Sequence, residues 1–286
     1  MTKSTGPVAF QGEPGAFSQQ AIRQFLGDRA RILPCQRFDE VFKALESDRA
    51  MAACVPMENT LHGSVHENYD HLLHFDFEIV AETSVRIIHN LIARPGVTFR
   101  KVRRVFSHPV ALNQCIDFFA NNPQVERSTF YDTAGSVKMI MDEQLDDAAA
   151  IASALSAEIY GARILKRSIE DDSRNYTRFF LLRKKGARGL KFAGPTSREC
   201  KTSLVFTTRN IPGALFRSLS AFALRDINLA KIESRPLRGK PWEYLFYLDL
   251  TGKVDDPPVG KALGHLEEIA DFLRVLGSYP TVSEKS

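Results

Sequence analysis

The chain has 286 residues, 44% of them hydrophobic and 25% charged, with a formal net charge of +4. This is a globular profile that excludes disordered and fibrous chains and leaves room for one large or two modest cored domains. No apolar run approaches the ~20 residues of a membrane-spanning helix, and Met1 to Thr5 lead into a strand without a leader-like pattern. A cytoplasmic protein is therefore expected, with no membrane partner. The positive charge is dispersed and forms no nucleic-acid module, so a small anionic ligand is expected and nucleic acid is not. Cys35, Cys54, Cys115 and Cys200 lack ligand-like spacing and read as reduced structural thiols, with no metal site.

Pro7 to Phe10 is a short apolar run ended by Gln11-Gly12-Glu13-Pro14-Gly15, after which Phe17, Ala21, Ile22, Phe25 and Leu26 recur at helical spacing until Gly27. The unit of strand, loop and helix then repeats. Phe38, Val41, Phe42 and Leu45 mark a helix, Met51 to Val55 a strand, and Pro56 to Thr60 the loop that leaves it. Val105-Phe106 passes through Ser107-His108-Pro109 into a helix from Ala111 to Phe119, and a strand from Val125 to Phe130 passes through Thr133-Ala134-Gly135-Ser136 into another helix. Ala148 to Ile151 leads through Ala152-Ser153 into a helix that ends near Tyr160-Gly161. Small polar residues thus recur between strand ends and helix starts, the pattern of an α/β fold with its ligand at the carboxyl ends of the strands. Each such Ser, Thr or Asn is by itself explained as a helix N-cap, but caps and ligand-binding amides share one end of a helix. Glu58, Asn59 and His108 at the same kind of exit shift the balance toward a binding site.

Asn175-Tyr176-Thr177-Arg178-Phe179-Phe180 sets a hydroxyl, a cation and three rings in a predicted buried strand from Tyr176 to Leu182. Alternation puts Thr177 on one face with Phe179 and Arg178 on the other with Phe180. From Arg183 to Cys200 the chain turns basic and glycine-bearing and reads as a linker. A second domain follows: a strand from Thr202 to Thr208, a turn at Asn210 to Gly213, a helix from Ala214 to Leu224, strands at Ile227 to Glu233 and Trp242 to Leu250, a helix from Val259 to Leu276, and a last strand beginning at Tyr279. This order, β-α-β-β-α-β, predicts a small antiparallel sheet with helices on one side. Both faces of Trp242 to Leu250 carry apolar residues, and the face without helices is expected to meet another subunit.

The runs "QGEPGAFSQQA", "VPMENTLHGSV", "SHPVALNQC", "YDTAGS", "AAIAS", "NYTRFF", "NIPGALF" and "KIESRPLRGKPWEYLFYLDL" together resemble the prephenate dehydratase family, including the related arogenate dehydratases, followed by an ACT regulatory domain. The resemblance covers nearly the whole chain from Pro7 to Pro280. It implies a two-lobed α/β catalytic unit folded like a type II periplasmic binding protein, over residues 6–183. The first lobe is expected at about 7–82 and 164–182 and the second at about 83–163. A linker at 184–200 and a ferredoxin-like ACT domain at 201–280 complete the expected division. No chorismate mutase segment precedes Pro7, so the single-activity form is expected. The activity implied is decarboxylating dehydration of prephenate to phenylpyruvate without a cofactor, with arogenate as the alternative substrate. A non-catalytic sensor of small anions or amino acids is the alternative from another class.

By the same resemblance Thr177 is the first choice to bond the leaving hydroxyl, with Glu58 as a rival acid. Arg178 is assigned to the pyruvyl-side carboxylate or to general orientation, and Phe179 and Asn59 complete the catalytic set. Ser18, Ser107, Gln114, Thr133 and Gly135 are expected to hold substrate, as is His108, for which capping or core bonding is an equal reading. Phenylalanine is the expected effector, bound by Asn210, Pro212, Gly213, Ala214 and Leu215 together with Asn228, Glu233, Ser234, Arg235 and Pro236. Phe216 stands where that motif commonly has a smaller aliphatic residue. A homodimer or homotetramer is the expected assembly.

Overall fold

The computed structural model describes residues 6–282 except 195, 238 and 241. Residues 1–5, on which the expected lack of a leader rests, lie outside the described residues. The first lobe is built from β1 (Val8–Gln11), α1 (Phe17–Leu26), β2 (Ile32–Cys35), α2 (Phe38–Glu46), β3 (Ala52–Asn59), β4 (Gly63–Ser64), α3 (His66–His74) and β5 (Phe77–Arg86). The apolar spacing of α1 buries Ala21, Ile22 and Phe25, and Gly27 ends the helix at a φ of 85°. β3 runs on to Asn59, where a loop was expected from Pro56, because Glu58 and Asn59 pair with the returning strand.

The second lobe holds β6 (Asn90–Ala93), β7 (Arg104–Ser107), α4 (Pro109–Asn113), α5 (Ile116–Ala120), β8 (Glu126–Thr129), α6 (Thr133–Asp142), β9 (Ala148–Ala152), α7 (Ala154–Tyr160) and β10 (Arg163–Lys166). Its sheet has the order β10-β6-β9-β7-β8, with the all-buried run Ala148-Ala149-Ala150-Ile151-Ala152 at the centre. The helix expected from Ala111 to Phe119 is broken into α4 and α5. Both carboxylate oxygens of Asp171 accept the first amides of α5, from Ile116 at 2.7 Å and Asp117 at 3.0 Å, and the Asp171 amide donates to the Gln114 carbonyl. A cap delivered from more than fifty residues away thus ends one helix and starts the next.

The chain returns to the first lobe as β11 (Tyr176–Lys184), antiparallel between β3 and β5. The lobe crossings therefore lie after Arg86 and after Lys166, later than the expected positions 82 and 164, because β5 continues to Arg86 beside β11 and β10 pairs with β6. Leu190 and Phe192, in the expected linker, pack against the first lobe, and Cys200 already lies in the first strand of the second domain.

That domain comprises β12 (Thr196–Thr207), α8 (Ala214–Ala223), β13 (Leu229–Pro236), β14 (Tyr244–Thr251), α9 (Pro257–Ile269) and β15 (Phe272–Val282). The expected β-α-β-β-α-β order holds, but the last helix stops at Ile269 rather than Leu276. The residues that follow pair as a strand with β12, Leu273 opposite Phe206 and Val275 opposite Leu204. α8 and α9 cover the sheet face that carries Leu204, Phe206, Leu248 and Leu250. The opposite face, expected to meet another subunit, is instead covered by the first lobe of the same chain. Val205, Leu245, Tyr247, Leu276 and Tyr279 share one core with Tyr69, Phe75, Phe77 and Phe180. The two domains form one sheet in the order β13-β14-β12-β15-β5-β11-β3-β1-β2, joined where Thr281 pairs with Glu82. Gly277 permits that junction, since a Cβ there would run into the Ile79 carbonyl.

Candidate active site

A cleft of about 410 Å3 opens between the two α/β lobes, at the carboxyl ends of their parallel strands. Strand alternation turns Thr177 and Phe179 into it, as the sequence predicts. Asn59, beside Thr177 on β3, fixes the threonine hydroxyl. Its Oδ1 accepts the Leu61 and His62 amides, both at 3.0 Å, which leaves its Nδ2 to face Asn175 Oδ1 at 2.7 Å and Thr177 Oγ1 at 3.0 Å. With its oxygen already accepting a bond, the Thr177 hydroxyl keeps its own proton free to donate into the cleft.

Ser18, His108, Gln114 and Thr133 also line the cleft. His108 caps α4, its Nδ1 accepting the Val110 amide at 3.2 Å, and burial lowers its pKa. Gln114 extends from the break between α4 and α5 that Asp171 creates, and both of its side-chain polar atoms meet histidines. Ser107 and Gly135 do not line the cleft. The Ser107 hydroxyl donates to the Ile151 carbonyl at 2.6 Å, tying β7 to β9, and the Gly135 amide donates to Asp132 Oδ1 at 2.6 Å within the cap of α6.

Arg178 faces away from the cleft. Its Nε donates to Glu82 at 2.6 Å, one terminal nitrogen donates to Asp249 of the second domain at 2.6 Å and the other to the Tyr279 hydroxyl at 3.1 Å. Its side chain is 14% exposed and lies over the Phe180 ring, 4.7 Å from the centroid. Burial opposes the charge, but Asp249, Tyr279 and Glu82 more than offset it and the pKa lies above the ordinary value. The expectation that Arg178 orients a substrate carboxylate is corrected, because its donors are committed on the far side of the sheet. Glu58 faces the same way and pairs with Lys231 of β13 at 3.0 Å, so it is not the cleft acid proposed as a rival to Thr177.

Four lining residues escape motif reading. Tyr131 and Asp132 fall just before Thr133, while His62 lies on the β3–β4 hairpin and His89 on the β5–β6 crossing. Burial raises the Asp132 carboxyl pKa although the Gly135 amide opposes this, and burial together with Glu13 pushes the Tyr131 phenol up to about 12. Tyr131, Asp132 and His62 lie within recognisable runs but carry no role assigned from them, and only His89 falls outside every run. Among the described lining residues there is no lysine or arginine. Amides, hydroxyls and imidazoles supply the polar contacts instead.

In the second domain Gly213 caps α8 at a φ of 77°, a left-handed conformation that suits glycine. Asn210 donates to the Trp242 carbonyl at 3.2 Å, Leu215 and Phe216 are exposed at the start of α8, and Ala214 is buried. Asn228 is exposed, its carbonyl accepting the Thr251 amide. β13 divides the remaining effector candidates. Ser234 and Pro236 lie on the helix-covered face, opposite Phe246 and Tyr244, whereas Glu233 and Arg235 turn toward the first lobe. There Glu233 accepts from Ser64 at 2.8 Å and Arg235 donates to Asp70 at 3.2 Å.

A two-lobed α/β cleft joined to a small β-α-β-β-α-β module is the architecture of a small-molecule-binding unit with an appended second domain. Comparison with known proteins makes the class specific. The prephenate dehydratase family pattern matches residues 8–187 and the ACT domain pattern residues 202–268. The chain is 45% identical to Arogenate dehydratase/prephenate dehydratase 2, chloroplastic, of Arabidopsis thaliana, over 96% of this chain and 72% of that protein. The structure of prephenate dehydratase in complex with L-Phe from Arthrobacter aurescens superimposes with a TM-score of 0.84 at 32% identity, over 96% of this chain and 89% of that one. A structure described as GqqA, a novel type of quorum quenching acylase, superimposes with a TM-score of 0.86 at 34% identity, over 96% and 97%. The chain belongs to the prephenate dehydratase family, with a C-terminal ACT domain, and is a lyase.

Proposed function

We propose that the enzyme converts prephenate to phenylpyruvate, expelling carbon dioxide and the ring hydroxyl together, and that phenylalanine bound by the ACT domain inhibits it. The observation that carries this reading is the Thr177 hydroxyl, held by Asn59 with its proton free, in a cleft with no lysine or arginine among its described lining residues. Aromatisation supplies the driving force, so the protein must hold a dianion in one pose and assist a poor leaving group. A hydrogen bond from Thr177 to the departing oxygen does the second task, and a positioned proton donor typically gives ~10²–10⁴-fold. Neutral donors do the first task without opposing decarboxylation. A fixed cation clamped on the ring carboxylate would stabilise the ground state that must be lost.

Arogenate is the second reading, favoured by the curated relatives, which include Arogenate dehydratase 2 of Petunia hybrida at 43% identity. It carries an amine in place of the keto oxygen, and the same two bonds break. Acylase chemistry has less support, since no cleft hydroxyl bonds an imidazole among the described residues. The test is the purified protein on prephenate and arogenate separately, with phenylpyruvate and phenylalanine measured as products. Conversion of neither substrate would overturn the reading. Calorimetry should show phenylalanine binding to the full chain, and Gly213→Val should abolish binding and inhibition while uninhibited turnover stays near parental.

A further inference from the structure

We propose that His62 binds substrate directly, its Nε2–H donated to a substrate carboxylate oxygen, with its tautomer dictated by Gln114 and His89 behind it. His89 is 2% exposed and meets the Phe17 ring edge-on. Its Nε2 lies 2.7 Å from Gln114 Oε1, whereas its Nδ1 is buried without a partner among the described residues. An N–H buried without an acceptor is a heavier penalty than a bare lone pair, so the single ring proton belongs on Nε2. Burial lowers the pKa of this ring, which keeps it to that one proton.

His89 therefore donates to Gln114 Oε1, and this settles which way the Gln114 amide points. Its Nε2 faces His62 Nδ1 at 3.0 Å and donates to it. His62 then carries its proton on Nε2, for which no partner exists among the described residues. Gln114 belongs to the second lobe and His62 to the hairpin of the first, so the bond spans the cleft. With no lysine or arginine among the described lining residues, an oriented N–H at this position is suited to an oxyanion. The ligand class rests on the proposed reading of prephenate or arogenate, both of which carry carboxylates.

The test separates tautomer from affinity. Nitrogen-15 NMR of the parent should show His62 protonated on Nε2, and Gln114→Glu, which removes the amide donor and offers an acceptor, should move that proton to Nδ1. His62→Ala should raise KM about tenfold with kcat within about threefold, in keeping with a hydrogen bond to a charged group. His62→Gln, whose amide nitrogen takes the place of Nε2, should keep KM within about threefold of the parent. Gln114→Glu should raise KM as His62→Ala does. A parent His62 protonated on Nδ1, or an unchanged KM in His62→Ala, would overturn the proposal. If the parent turns over neither substrate, the functional reading falls. The role of His62 is then decided by calorimetry with phenylpyruvate as probe, where His62→Ala must weaken binding about tenfold to sustain it.

Discussion

Thr177 and Arg178 are neighbours on one strand and do different work because strand residues alternate between faces. Thr177→Ala should lower kcat by ~10²–10⁴-fold, the range of a positioned proton donor. Thr177→Ser should retain most of the rate, since it keeps the hydroxyl. Steady-state kinetics of both variants check this, and a Thr177→Ala enzyme within a few-fold of the parent would remove the hydroxyl from the mechanism. Arg178→Lys keeps the charge but loses the planar fork that reaches Glu82, Asp249 and Tyr279 together. It is expected to lower the melting temperature and to leave KM near parental. A large rise in KM with unchanged melting would return Arg178 to the substrate.

At the scale of elements, the β3–β4 hairpin supplies Asn59, His62 and Ser64 to the cleft and is pinned from behind by β13. Lys231 reaches Glu58 at 3.0 Å and Ser64 at 3.1 Å, while Glu233 accepts from Ser64. Lys231 is 11% exposed but Glu58 is 37% exposed, so Glu58 can rehydrate when the pair is broken. Lys231→Met should therefore change global stability by only about 1 kcal/mol. Its local effect should be larger, with faster hydrogen exchange at the amides of residues 61–65. Exchange at parental rates would show that the second domain does not restrain this hairpin.

For the whole molecule, the decisive contact is the buried charge cluster at the domain junction. Glu82 meets Arg178 and Lys201, each at 2.6 Å, and Thr281 donates to it at 2.8 Å. Burial alone would raise the Glu82 pKa, but Arg178 and Lys201 more than offset it and the folded value lies below the ordinary one. A carboxyl whose pKa falls on folding contributes stability that is complete above its unfolded value, about 4.3, and is lost as pH falls through the folded value. Glu82→Gln should cost about 3–5 kcal/mol near neutrality, since it strands partly buried cations. That deficit should shrink as pH falls below ~4.3, where the unfolded parent takes up the proton first and the folded one follows at its lower value. Urea unfolding of both proteins across this range measures the difference, and a deficit independent of pH would show that Glu82 acts through packing alone.

The sequence by itself determined what depends on neighbours along the chain. Helical spacing and terminal glycines fixed α1 and α7, the all-apolar run 148–151 fixed a strand, and alternation in β11 put Thr177 and Phe179 on one face. Asn59 and Gln114 also lay in recognisable runs. Tertiary structure alone decided where distant partners intervene. Asp171 splits a helix that local spacing reads as continuous, and pairing with β12 makes a strand of Phe272 to Leu276 despite its helical pattern. The first lobe covers the sheet face that composition assigns to another subunit, and it does so with the same chain. Which face Glu58 and Arg178 turn to depended likewise on the second domain, because their partners Lys231 and Asp249 lie far along the chain and no local pattern encodes that pairing.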